Sequence, residues 1–150
     1  MANVMKISEA ASLALHTMVL LAAEQEGTER PVTAKEVAET LDVSEAHLLK
    51  VVQRLAHAGL VRGDRGPGGG FTLARRSDAV TLMDVYEAVE GPLTKTTCLL
   101  TSRLCGGDHC ILGDLLERMN SEFRRYLSQT RLIDLAETSQ KLARKGAHHA

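Results

Sequence analysis

Between Ser8 and Glu24 the apolar residues recur every three or four positions. Ala11, Leu15, Met18 and Ala22 form one stripe, Leu21 widens it, and Ser8 stands where an N-cap belongs, so the pattern predicts a helix over 8–24. The stretch EGTERP (26–31) breaks that period. Thr33 and Glu36 then have capping-box spacing and open a short helix to about Leu41. After a tight turn, Ser44 caps a further helix with an inward stripe of Leu48, Val51, Val52 and Leu55, and Gly59 occupies the place of a helix C-terminal glycine. A short helix, a tight turn and a second capped helix is the spacing of a helix-turn-helix.

The period then changes. Two short strand-like pieces, around 60–62 and 71–74, flank a loop containing Gly66, Pro67, Gly68, Gly69 and Gly70. The glycines permit a sharp reversal and the proline stiffens it. A two-stranded hairpin directly after a helix-turn-helix makes a winged helix. Thr81 and Asp84 cap another helix, LMDVYEAVEG, which Gly91-Pro92 ends. From Ile111 to about Ala143 a stripe of Leu112, Leu115, Leu116, Met119, Phe123 and Tyr126 predicts one long helix, whose apolar face calls for a twofold mate. The expected fold is mostly α. It comprises a winged-helix DNA-binding domain at 1–92, a cysteine-rich loop at 93–110, a long C-terminal dimerisation helix at 111–143 and a frayed tail at 144–150.

Composition sharpens this picture in two respects. Aromatic residues make up only 3% of the 150 residues, so the core must be aliphatic. The net charge of −1 excludes a polycation, so any nucleic-acid binding has to come from a local patch. Such a patch exists. Between 43 and 76 the basic residues are Lys50, Arg54, Arg62, Arg65, Arg75 and Arg76, against Glu45 and Asp64 alone, and phosphate binding requires this sorting of charge. The N-terminal apolar stretch is interrupted by Ser12, His16 and Thr17 and lacks a basic leader region. It reads as neither a secretory signal nor a membrane span, and the expectation is a soluble cytoplasmic protein with reduced thiols and no membrane partner.

All three cysteines lie in CLLTSRLCGGDHC, residues 98–110. Three thiols cannot all pair within one chain, and the stretch has too little apolar periodicity to be core. Cys98, Cys105 and Cys110 are soft donors suited to an iron–sulfur cluster or to zinc, and free redox thiols are a further possibility. Their C-x6-C-x4-C spacing lacks the C-x2-C knuckle of zinc ribbons.

The stretch VSEAHLLKVVQRLAHAGLVRGDRGPGGGFTLARR, the later VTLMDVYEAVEGPL, the three close cysteines and the final helical region together resemble the IscR/NsrR (BadM-like) transcriptional regulators, over about Met5 to Ala136. The resemblance implies a homodimeric winged-helix protein that binds double-stranded operator DNA and carries an iron–sulfur cluster, two-iron or four-iron, in the cysteine loop. It places Ala46, His47, Leu49 and Lys50 on the DNA-facing side of the recognition helix. Arg65 becomes the wing arginine that enters the minor groove, where a guanidinium suits the negative potential of a narrow A·T-rich stretch. Ser44, Arg54, Arg62, Gly66, Gly68 and Gly69 complete the expected DNA-binding set. Leu49 is apolar where some members use a carboxylate. Cluster-sensing members take a fourth ligand from a histidine three residues after the third cysteine or from an aspartate in the first helix. Here those positions are Gly113 and Ser12. The fourth ligand must therefore come from His109 or Asp108 in the loop, or from Glu9 or His16 on the first helix, in the same subunit or its partner. The expected function is a transcription regulator whose operator binding follows the cluster's state. The alternatives are a metal-free thiol switch, a winged-helix adaptor for another protein, and a thiol-dependent enzyme. The sequence shows no nucleophile–base–orienter set around the cysteines, so the expectation is a non-enzyme.

Overall fold

A computed structural model describes residues 6–66, 69–95, 98–100 and 110–146, with side chains up to residue 139. Its elements are α1 (Glu9–Glu26), α2 (Ala34–Leu41), α3 (Glu45–His57), β1 (Val61–Asp64), β2 (Gly70–Leu73), a 3-10 turn (Ser77–Ala79), α4 (Leu82–Glu90), α5 (Leu115–Gln129) and α6 (Leu132–Gly146). The first helix is the hub. Its start is fixed by the Ser8 hydroxyl, which accepts from the Ala11 N–H at 3.0 Å. More than one stripe of α1 is buried, because α2, α3, α4, α6 and β2 all pack on it. Ala11, Ala14 and Ala22 are fully buried and let neighbouring backbones come close, while Met18 and Leu21 fill the spaces between them.

The helix-turn-helix forms as its caps predict. The Glu36 N–H donates to the Thr33 hydroxyl at 3.2 Å and the Thr33 N–H to the Glu36 carboxylate at 2.7 Å, the reciprocal pair of a capping box. Asp42 adopts a left-handed φ of 53° to turn the chain into α3. Gly59, at φ 75°, ends α3, and the Leu60 N–H reaches back to the Leu55 carbonyl at 3.0 Å in a Schellman closure.

The wing is the antiparallel pair β1–β2, with Val61 opposite Leu73 and Arg62 opposite Thr72. Val32 adds a bridge on the other side of β2, exchanging bonds of 3.0 and 2.7 Å with Phe71. A Cβ at Gly70 would lie 2.5 Å from the Val32 carbonyl oxygen, so only glycine permits this three-piece base.

The C-terminal third differs from the expected single helix over 111–143. Residues 111–114 form turns, and Ile111 is 94% exposed. Helix starts at Leu115, and Thr130 takes extended angles that split the region into α5 and α6. The break is held from outside. The Leu82 N–H donates to the Thr130 carbonyl at 2.9 Å and the Leu132 N–H to the Val80 carbonyl at 3.0 Å, while the Arg131 N–H finds the Asp134 carboxylate at 2.9 Å. These bonds supply partners for backbone groups that an interrupted helix leaves open. Leu127, Leu132 and Ala136 thereby enter the same aliphatic core as α1 and α3. Tyr86 of α4 meets Phe123 of α5 edge to face, with ring centroids 5.5 Å apart. No helix among the described residues is long and apolar enough to cross a membrane.

Candidate nucleic-acid interface and cysteine loop

The burial of α3 sets which of its residues can read another molecule. Leu48, Val51, Val52 and Leu55 anchor one face in the core. That leaves Ala46, Leu49 and Lys50 exposed on the other, and Leu49 is 38% exposed despite being apolar. The Ser44 hydroxyl accepts from the His47 N–H at 3.2 Å, so Ser44 is occupied in capping the helix. His47 is half-buried, with Nδ1 3.7 Å from a Glu9 carboxylate oxygen at the start of α1. Arg54 is exposed as well, but its guanidinium donates to the Val89 carbonyl near the end of α4 at 3.3 Å.

The basic residues of the wing separate in the same way. Arg75 donates to the Ala79 carbonyl at 2.9 Å, and Arg76 grips Asp78 through two bonds of 3.1 and 2.7 Å. The Arg76 guanidinium holds the Asp78 carboxyl below the usual carboxylate range. Arg62 is exposed and only 4.0 Å from Asp64. Arg65 is exposed and, among the described residues, without a side-chain partner. The loop beside it depends on glycine. Gly66 has φ 128°, the Gly69 N–H donates to the Gly66 carbonyl at 2.9 Å, and a Cβ at Gly69 would strike the Asp64 carbonyl oxygen at 2.5 Å. Gly68 lies outside the described residues. Lys50 and Arg65 are therefore, among the described residues of α3 and the wing, exposed cations without a side-chain partner, with Arg62 loosely held.

The chain enters the cysteine region at the end of α4. Gly91, at φ 81°, donates to the Glu87 carbonyl, and the Leu93 N–H bonds the Glu87 carboxylate at 2.9 Å. The Arg124 guanidinium of α5 donates to the Leu93 carbonyl. Ser8, at the start of α1, donates to Glu90. Cys98 and Cys110 are half-buried thiols, and the Leu100 N–H points at the Cys98 sulfur from 3.5 Å. Cys105, Asp108 and His109 lie outside the described residues, within which no three acidic, histidine or cysteine side chains converge on a metal position. Of the candidate fourth ligands on α1, Glu9 sits beside His47. His16 donates from Nδ1 to the Ser12 carbonyl at 2.7 Å, which leaves its Nε2 as the acceptor nitrogen. Sequence reasoning missed two residues here. Glu87 and Arg124 clamp the approach to Cys98, and nothing in their periodicity marks them because each acts across a gap between elements.

A family model described as Rrf2, iron-dependent transcriptional regulator, matches residues 7–138. The chain belongs to the Rrf2 family. Among its Rrf2-type relatives, the HTH-type transcriptional regulator IscR of Cereibacter sphaeroides is 30% identical over 140 residues, covering 91% of this chain and 90% of that one. The HTH-type transcriptional regulator CymR of Bacillus subtilis is 33% identical over 132 residues, covering 88% and 90%. The solved structure of that CymR, described as the global cysteine regulator, superimposes with a TM-score of 0.75 over 89% of this chain and 98% of the other. Staphylococcus aureus CymR, solved in an oxidised form, gives 0.71 at 28% identity over 89% and 97%. The winged-helix architecture is thus that of Rrf2 regulators, and this chain is a transcriptional regulator of that family. Both named relatives are HTH-type transcriptional regulators.

Proposed function

We propose that this Rrf2 chain is a homodimer that binds double-stranded operator DNA, with an affinity set by an iron–sulfur cluster on Cys98, Cys105 and Cys110. The observation that carries this reading is the position of the cysteine stretch. It leaves α4 at a turn bonded both to the reading helix, through Arg54 and Val89, and to α5, through Arg124 and Leu93. A change in how the loop is held therefore has a short mechanical route to α3.

The donor set suits such a cluster. Two described thiols are half-buried, so they are partly shielded yet reachable, and the Leu100 N–H lies 3.5 Å from the Cys98 sulfur. A bound cluster supplies a redox- and ligand-sensitive crosslink of the loop. The protein's own part is to present three thiolates and to tie Leu93 to Glu87 and Arg124, so that loop order and α4 position are one variable. For the dimer, the support is the outer face of α5. Leu115, Met119, Phe123 and Tyr126 line a shallow depression there, and Leu127 is the one residue of α5 that is buried.

The test is anaerobic purification after iron-replete expression. Wild type should be coloured and contain iron and acid-labile sulfide, and replacing any one of Cys98, Cys105 or Cys110 with Ser should abolish stable cluster binding while the fold survives. Absence of both iron and sulfide from the wild type would overturn the reading. A second reading has its own support, because a relative of 28% identity has been solved in an oxidised form. In that reading two of the three thiols form a reversible disulfide without metal, the protein is colourless, and one cysteine is dispensable.

A further inference from the structure

The outward face of α3 has an apolar centre. Leu48, Val51, Val52 and Leu55 turn inward, so the exposed positions up to Arg54 are Glu45, Ala46, Leu49, Lys50, Gln53 and Arg54 itself. Leu49 lies one turn beyond Glu45 and Ala46 and one turn before Gln53, and these are its neighbours on the helix surface. Much of the polar chemistry nearby is already engaged. Ser44 caps the helix, His47 stands beside Glu9, and Arg54 donates to the Val89 carbonyl. At Ala46 and Leu49 the side chains have no hydrogen bond to offer. Both lie in the N-terminal half of α3, the part that a recognition helix presents to base edges.

The major groove shows each base by a different edge. Guanine presents two acceptors, cytosine an amine, adenine an acceptor and an amine, and thymine an acceptor and a methyl group. Setting Leu49 against guanine or cytosine would strip water from polar groups and return no bond, which costs free energy. Against the thymine methyl the same side chain buries apolar surface on both partners. Glu45 and Gln53 can accept from a base amine, so they suit neighbouring pairs rather than this one. Lys50 in α3 and Arg65 in the wing are exposed cations that attract phosphates. An apolar centre accompanied by cations matches a duplex better than it matches an apolar protein surface.

We infer that Leu49, with Ala46 beside it, reads the C5 methyl of a thymine, so that each operator half-site carries an A·T pair at the position facing Leu49. Recognition there is by apolar contact and not by a hydrogen bond. The inference rests on the operator binding proposed above and does not depend on the cluster.

The test begins with selection of duplexes from a randomised pool by the full-length, anaerobically purified protein. Each thymine of an enriched duplex is then replaced in turn by uracil, which removes the methyl and keeps every hydrogen-bonding group. At one thymine per half-site the replacement should weaken binding about fourfold, the worth of one buried methyl. Leu49→Ala should bind the thymine and uracil duplexes alike at that position, whereas Arg65→Ala should bind both more weakly and keep the fourfold difference. Leu49→Met restores apolar reach and should retain most of the preference, and circular-dichroism melts equal to wild type would show that the variants are folded. Uracil tolerated at every position, or a methyl preference that survives Leu49→Ala, would overturn the inference. A pool from which no duplex is enriched would overturn operator binding itself, and the inference with it.

Discussion

Two arginines of the basic patch have different jobs, and salt separates them. Arg65 stands exposed at a glycine-flanked turn with no described side-chain partner, whereas Arg54 is bonded to the Val89 carbonyl. Arg65→Ala should weaken operator binding by about 1–3 kcal/mol and lower the slope of log affinity against log salt, because one phosphate-region cation is lost. Arg54→Gln should leave that slope unchanged, because its guanidinium braces α3 against α4. Electrophoretic shift assays at several salt concentrations check both, and a smaller slope for Arg54→Gln would return it to the DNA contacts. The sequence made the patch visible as charge but could not rank its members. Arg75 and Arg76 look equivalent to Arg65 in the chain, and only the turn at 77–79 shows them already bonded to Ala79 and Asp78.

At the scale of elements, caps explain most of what was legible. Ser8, Thr33, Ser44 and Thr81 each accept from the N–H three residues on, as local chemistry requires wherever a helix opens with free donors. Thr81 carries extra weight because the break between α5 and α6 docks beside it, through the bridge between Thr81 and Arg131. Thr81→Ala should cost about 1 kcal/mol, lowering the melting temperature by roughly 2–4 °C in a domain of this size. Differential scanning calorimetry measures it, and a melt equal to wild type would show that the backbone bonds alone hold the junction. The hairpin was legible for another reason. Its glycines are required by close backbone approach, at Gly70 against Val32 and at Gly69 against Asp64.

For the whole molecule, the question is what covers α5. This helix has one buried residue, and Leu115, Met119, Phe123 and Tyr126 line an apolar depression along its outer side. Met119→Asp should place an unpaired carboxylate in the proposed twofold contact, giving monomers with poor operator affinity and an intact fold. Sedimentation velocity at micromolar protein reads the result, and a persisting dimer would put the interface elsewhere. Phe123, expected wholly for that contact, also serves its own subunit by packing on Tyr86. It is therefore a poorer probe than Met119.

By itself the sequence determined the local and the categorical. It specified the starts of the first four helices, the helix-turn-helix spacing, the wing, the aliphatic core and the family, because caps, glycine turns and periodicity act within a few residues of the chain. The tertiary structure decided whatever depends on a partner distant in sequence. Thr130 ends α5 because Leu82 and Val80 offer backbone partners from some fifty residues earlier, a competition no window around residue 130 contains. The burial of α1 on several sides came from five elements packing on one helix, which made its single predicted stripe too narrow. Which arginines are bonded within the protein and which stay free followed from which carbonyls and carboxylates the fold brought within reach. A hydrogen bond has a range of about 3 Å, and only folding brings groups so far apart in sequence within it.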